Sequence, residues 1–140
     1  MIRIRFLSVG KTKESWLEHA IAEYQKRLLG AISFEFVWAK DDAQLLALAE
    51  KESGLIGLDP KGASMSSEEF SEFFTKQTLA SGSRLTFVIG GPEGIPLELK
   101  KKMPLISLSK MTFTHQITRL ILIEQIYRAS EIMKGSKYHK

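Results

Sequence analysis

The stretch Leu85-Thr86-Phe87-Val88-Ile89-Gly90-Gly91-Pro92-Glu93-Gly94 sets an apolar run against an abrupt glycine-rich bend. A short, continuously apolar run suits a strand buried on both faces of a parallel sheet. The bend that stops it lets a ligand approach bare backbone, because glycine has no Cβ to hold it off. Further on, Leu105-Ile106-Ser107-Leu108-Ser109-Lys110-Met111-Thr112-Phe113 repeats the design, a short apolar strand halting in a polar turn ahead of a long helical pattern. Two such strand ends are expected to form opposite walls of one pocket at the carboxyl edge of a sheet.

Outward from these strands the chain alternates between periods of two and 3.6. Ile2, Ile4 and Phe6 alternate with Arg3 and Arg5 and lead into Leu7-Ser8-Val9-Gly10, a first strand ending at a glycine turn. Trp16, Leu17, Ala20, Ile21, Tyr24 and Leu28 recur at helical spacing, and Gly30 closes that segment. Ser33 to Trp38 reads as a second strand, after which Asp41 or Asp42 caps a helix carrying Leu45, Leu46, Leu48 and Ala49. Leu55-Ile56-Gly57-Leu58 reads as a third strand stopped by Asp59-Pro60-Lys61-Gly62. Ser66 and Glu69 are spaced as a capping box before a helix presenting Phe70, Phe73 and Phe74. With Arg84 to Ile89 and Leu105 to Leu108 as strands four and five, a last helix runs from Thr114 or His115 to Lys134 and ends near Gly135. The alternation predicts an α/β fold: a parallel sheet with helices on both faces, as one domain over residues 1–140.

Composition narrows the chemistry. With 140 residues, 44% of them hydrophobic and eight Phe among them, the chain suffices for one sizeable core. It contains no cysteine, which excludes disulfides, thiolate metal sites and cysteine nucleophiles. The apolar runs are far shorter than the roughly 20 residues that cross a bilayer, and the charged, alternating start is unlike a signal peptide, so a cytoplasmic location without membrane contact is expected. A net charge of +4 is a mild bias toward anionic partners.

Two nucleotide motifs fail. Gly10-Lys11-Thr12 imitates the end of a phosphate loop, but the upstream glycine that motif needs falls on Arg5. Only Gly10 stands where a dinucleotide fingerprint needs three glycines. The two loops are better candidates: Ser109 and Thr112 offer hydrogen bonds to a polar ligand, while Leu108, Met111 and Phe113 suit an apolar or aromatic ring. His19, His115 and His139 are too scattered to suggest a metal, and none is predicted. His115 with Arg119, and Glu124 with Arg128, are i, i+4 pairs on the last helix, read either as structural ion pairs or as site groups. That helix is apolar around most of its circumference, so it lies either at the centre of a monomeric core or against a second subunit, a homodimer being the expectation. The tail, Gly135-Ser136-Lys137-Tyr138-His139-Lys140, is either a frayed end or an aromatic and cationic arm for unpaired RNA bases.

Taken together, Phe87 to Gly94, Ser107 to Phe113 with His115-Gln116, Glu124-Gln125-Ile126-Tyr127-Arg128-Ala129 and the closing Tyr138-His139-Lys140 resemble the RlmH-type ribosomal RNA methyltransferases, minimal members of the SPOUT class. Val9-Gly10-Lys11 and Leu58-Asp59 extend the likeness over the whole chain. The resemblance implies a trefoil-knotted α/β domain, a homodimer, S-adenosylmethionine as cofactor, and methylation of N3 of a pseudouridine in large-subunit rRNA. By position it implies cofactor contacts at Leu58, Gly90, Gly91, Leu108, Ser109, Lys110, Met111, Thr112 and Phe113. It further implies that the tail of one subunit completes the RNA site of the other, which gives Arg128, Tyr138, His139 and Lys140 a role. Proton removal from N3 would fall to His139 or His115, with Arg119, Arg128 or Lys140 stabilising the anion. The competing reading is an RNA- or ribosome-binding module with a vestigial pocket. The chain departs from the family at Thr114, where relatives often carry proline and where threonine supplies a helix cap. It also departs in a short segment between strands two and three.

Overall fold

The computed structural model describes residues 1–10 and 14–139. In chain order it contains β1 (Ile2–Val9), α1 (Ser15–Arg27), β2 (Ile32–Ala39), α2 (Asp42–Ala49), β3 (Leu55–Ser64), α3 (Ser67–Ala80), β4 (Arg84–Ile89), α4 (Leu97–Lys100), β5 (Leu105–Ser107) and α5 (His115–Lys134). The strands form one parallel sheet in the order β2-β1-β4-β3-β5. As the apolar run of β4 requires, both faces of the sheet are covered.

Alternation along each strand divides the core in two. Ile4 and Phe6 of β1 pack with Leu17 and Ile21 of α1, Phe70 and Phe74 of α3, and Leu122, Ile123 and Ile126 of α5. Leu7 points the other way, into a cluster with Leu45 and Ala49 of α2 and Leu99 of α4. Phe6 stands opposite both Phe36 and Phe87 in register, with ring centroids 5.1 and 6.0 Å away, which ties the three central and edge strands together.

The expected caps are present. Ser66 Oγ accepts from Glu69 N at 3.0 Å while the Glu69 carboxylate accepts from Ser66 N at 2.8 Å, a reciprocal capping box. Asp41, rather than Asp42, caps α2 by accepting from Gln44 N. Thr114 caps α5 by accepting from Ile117 N, and α5 ends at Gly135 with φ +70°.

Two features differ from the sequence reading. β3 does not stop at Leu58. It pairs with β5 through Leu58↔Ile106, loops out over 59–62, and rejoins at Ala63↔Ile106 and Ser64↔Ser107. Pro60 is tolerated because it sits in this interruption, where no ladder hydrogen bond is needed. At Gly62 the chain crosses β5 backbone on backbone: an added Cβ would lie 2.7 Å from Ile106 N and 2.8 Å from Ile106 C. The other difference is α4, a single turn too short to leave a periodic signal.

Within one chain α5 is not buried all round. Leu122, Ile123, Ile126 and Ala129 are fully covered by the sheet and its neighbouring helices, whereas Ile117 and Met133 are exposed and Leu120, Ile121 and Ile132 half-buried.

Candidate active site

The carboxyl ends of β3, β4 and β5 meet in a cleft of about 490 Å³, within the range of small-molecule sites. The diglycine bend and the hydroxyl-bearing turn are two of its walls. After Ile89 the chain folds back on itself through an antiparallel bridge between Gly91 and Gly94, closed by Gly94 N donating to Gly91 O at 2.9 Å. Gly94 has φ +86°, a conformation that glycine adopts without strain. Gly90 is required by contact: a Cβ there would lie 2.3 Å from the carbonyl carbon of Gly94. In the opposite wall Ser107 Oγ donates to Ser109 O at 2.8 Å, and Ser109 Oγ accepts from Met111 N at 3.0 Å. These bonds hold the turn in shape before α5 begins.

Most residues expected around a cofactor line this cleft: Leu58, Gly90, Gly91, Leu108, Ser109, Met111, Thr112 and Phe113. Lys110 does not; its side chain is exposed at the tip of the turn. His115 and Thr118, one turn apart on α5, also face the cleft. The cleft is also lined by Asp59 and Lys61, read from the sequence only as part of the turn after strand three, and by Lys100, which no sequence signal singled out. Asp59 is buried; its carboxylate accepts from Lys61 N at 2.8 Å and from Lys100 Nζ at 2.7 Å. The Lys100 hydrogen bond holds that carboxyl below the usual range.

Arg119, read from the sequence either as half of an ion pair with His115 or as a site group, is not among the residues lining the cleft. Its side chain is buried away from the cleft lining, with NH2 donating to Ser8 Oγ at 3.3 Å and the guanidinium 4.4 Å from the Trp38 ring centroid. Its Nε has no hydrogen-bond partner, and among the described residues no carboxylate pairs with it. Burial pushes its pKa down.

The tail groups gather at the other end of α5. Arg128 forms a 3.2 Å ion pair with Glu124, and NH1 donates to His139 Nδ1 at 3.0 Å. Because Nδ1 faces an N–H donor, the imidazole proton resides on Nε2, which meets Glu68 at 2.5 Å. Tyr138 donates to Glu124 at 2.8 Å and packs edge-on against Tyr127; burial and this carboxylate push its phenol up to about 12. Lys140 lies outside the described residues. From His115 to Arg128 the helix rises about 20 Å, so in one chain the tail cluster and the cleft are far apart. Among the described residues no group of three His, Asp or Glu side chains is placed to hold a metal ion, and no helix is long and apolar enough to cross a membrane.

Residues 2–139 of the chain, which form this parallel α/β sheet and its cleft, match the family model described as predicted SPOUT methyltransferase. The chain belongs to this family of methyltransferases. It is 63% identical over 140 residues, covering the whole of both chains, to the ribosomal RNA large subunit methyltransferase H of Protochlamydia amoebophila. The proteins of that name from Carboxydothermus hydrogenoformans and Streptococcus uberis are 39% and 40% identical, over 99% of this chain and 100% of theirs. Those two alignments extend over 159 positions, so this chain and the Protochlamydia protein are the shorter form.

Proposed function

We propose that the cleft binds S-adenosylmethionine and that a cytoplasmic homodimer of this one-domain enzyme methylates N3 of a pseudouridine in large-subunit rRNA. The observation that carries the reading is the convergence of the two backbone bends, Gly90–Gly94 and Ser107–Phe113, on one cleft. The lining fits the cofactor. Leu58, Leu108 and Phe113 offer apolar surface for an adenine ring, and Ser109, Thr112 and the bare backbone at Gly90 and Gly91 offer hydrogen bonds to its polar groups. The family's trefoil knot belongs to this reading, supported by the tight backbone crossing at Gly62 and the return of Gly94 onto Gly90.

The bound cofactor supplies an electrophilic methyl group on a sulfonium. This chain's task is to present a deprotonated N3 in line with it. A histidine takes the N3 proton, and cationic side chains stabilise the resulting ring anion. His115 is in the cleft already, whereas Arg128 lies further along the same α5 and His139 in the tail that follows it. That separation, with the exposed apolar residues of α5, supports a dimer in which Arg128, Tyr138, His139 and Lys140 of one subunit serve the cleft of the other. Arg119, lacking access to the cleft, is left out of the chemistry.

Mass spectrometry of rRNA from cells with and without the protein tests the function: loss of one methylpseudouridine is expected, and an unchanged rRNA would overturn it. A binding-only module would also give no calorimetric heat with S-adenosylmethionine. His115→Ala and His139→Ala, assayed separately in single-turnover methylation, identify the base; near-normal rates in both would remove a histidine from the mechanism. Mixing Gly90→Ala with His139→Ala subunits should restore activity lost in each alone, and no recovery would count against sites shared between subunits.

A further inference from the structure

We propose that the Asp59–Lys100 ion pair is a clamp that sets the spacing of the cleft walls, making both side chains positioning residues for cofactor binding; this rests on the cleft being the cofactor site.

Asp59 stands where the register of β3 against β5 shifts, so residues 59–62 have no paired residue in β5. Lys100 is the last residue of α4, the turn that follows the glycine-rich bend and leads to β5. The 2.7 Å ion pair therefore fastens the unpaired limb of β3 to the limb that carries the bend. Both oxygens of the carboxylate are engaged, one by Lys61 N and one by Lys100 Nζ, which leaves it little capacity for a ligand. Desolvating such a pair offsets much of its Coulomb attraction, so geometry rather than net stability is its physical use. Removing either partner frees both limbs, and the loop between them loses its closed form.

The test compares Asp59→Asn, Lys100→Met, the double variant and Lys100→Arg. In the protein without cofactor, hydrogen exchange at Gly94 N reports loop closure, since that amide is bonded to Gly91 O. Exchange should quicken in both single variants. Each should also weaken cofactor binding about tenfold, with the double variant no worse than either. The rate at saturating cofactor should stay within about twofold, the pattern of lost binding without lost chemistry. Lys100→Arg should restore both readouts. Lys100→Met alters the pair from its more exposed side, and Lys100→Arg keeps the charge. Unchanged Gly94 exchange and unchanged affinity would overturn the clamp. So would tighter binding in Lys100→Met, because it would show that Asp59, once freed, contacts the cofactor directly. Failure of the unaltered protein to bind S-adenosylmethionine would instead overturn the functional reading, leaving the exchange result to judge the clamp.

Discussion

Replacing Gly90 with alanine is the sharpest perturbation of the cleft. The added Cβ would lie 2.3 Å from Gly94 C, 2.5 Å from Ile95 N and 2.6 Å from Gly94 O. All three are backbone atoms, so no change of rotamer relieves the overlap. Opening the contact to an ordinary 3.4 Å displaces the returning limb of the bend by about 1 Å. Overpacking of this kind costs roughly 1–3 kcal/mol of stability. A displacement of about 1 Å at a site that works by alignment costs on the order of 100-fold in rate. Urea unfolding should therefore show a loss of that size at unchanged m-value, and single-turnover methylation should fall by about two orders of magnitude. Gly91→Ala is the control for stability, because its Cβ meets only the Val9 side chain, at 3.4 and 3.6 Å. A Gly90→Ala protein with stability and turnover equal to the unaltered protein would refute the inference that the bend's close return shapes the site.

Arg119→Met removes a buried charge that has no carboxylate partner among the described residues, while keeping a long apolar side chain. Its unfolding free energy should stay level or rise, by up to roughly 4 kcal/mol, and a clear loss in urea unfolding would show that the guanidinium is structural. Tyr138 should titrate near 12, seen as phenolate absorbance that Tyr138→Phe abolishes. Because the docked phenol is raised above its ordinary value of about 10, its contribution to holding the tail is complete below that pH and lost as pH climbs through 12. Thr114→Ala should cost about 1 kcal/mol in thermal or urea unfolding through loss of the α5 cap.

Local signals carried most of the fold into the sequence. The capping box at Ser66 and Glu69, the left-handed glycine after α5 and the apolar run of β4 each depend on neighbours within a few residues, and each appears as read. What escaped depends on chain segments far apart in sequence. β3 continues past Pro60 only because β5 passes beside residues 63 and 64, and nothing in the stretch 59–62 announces that partner. Asp59 looked like a turn residue because its true partner, Lys100, is 41 positions away on a helix of four residues. Arg119 was legible as a charge within an apolar helix, but its direction was not. The rotation of α5 over Ser8 and Trp38 buries the guanidinium, while His115 and Thr118 from the same turn of helix face the cleft.

The division of the site follows from that rotation. One continuous helix, His115–Lys134, meets the cleft at its N-terminal end and the tail cluster towards its C-terminal end, about 20 Å apart. Two of the tail groups are also paired where they lie: His139 is held by Arg128 and Glu68, and Tyr138 by Glu124. Groups so fully paired hold their orientation without doing chemistry on their own chain. In the proposed dimer, a second copy packed along the exposed apolar residues of α5 would bring the far end of one helix to the near end of another. Symmetry would then supply the wall that one chain lacks, which is the arrangement the mixed-subunit experiment tests.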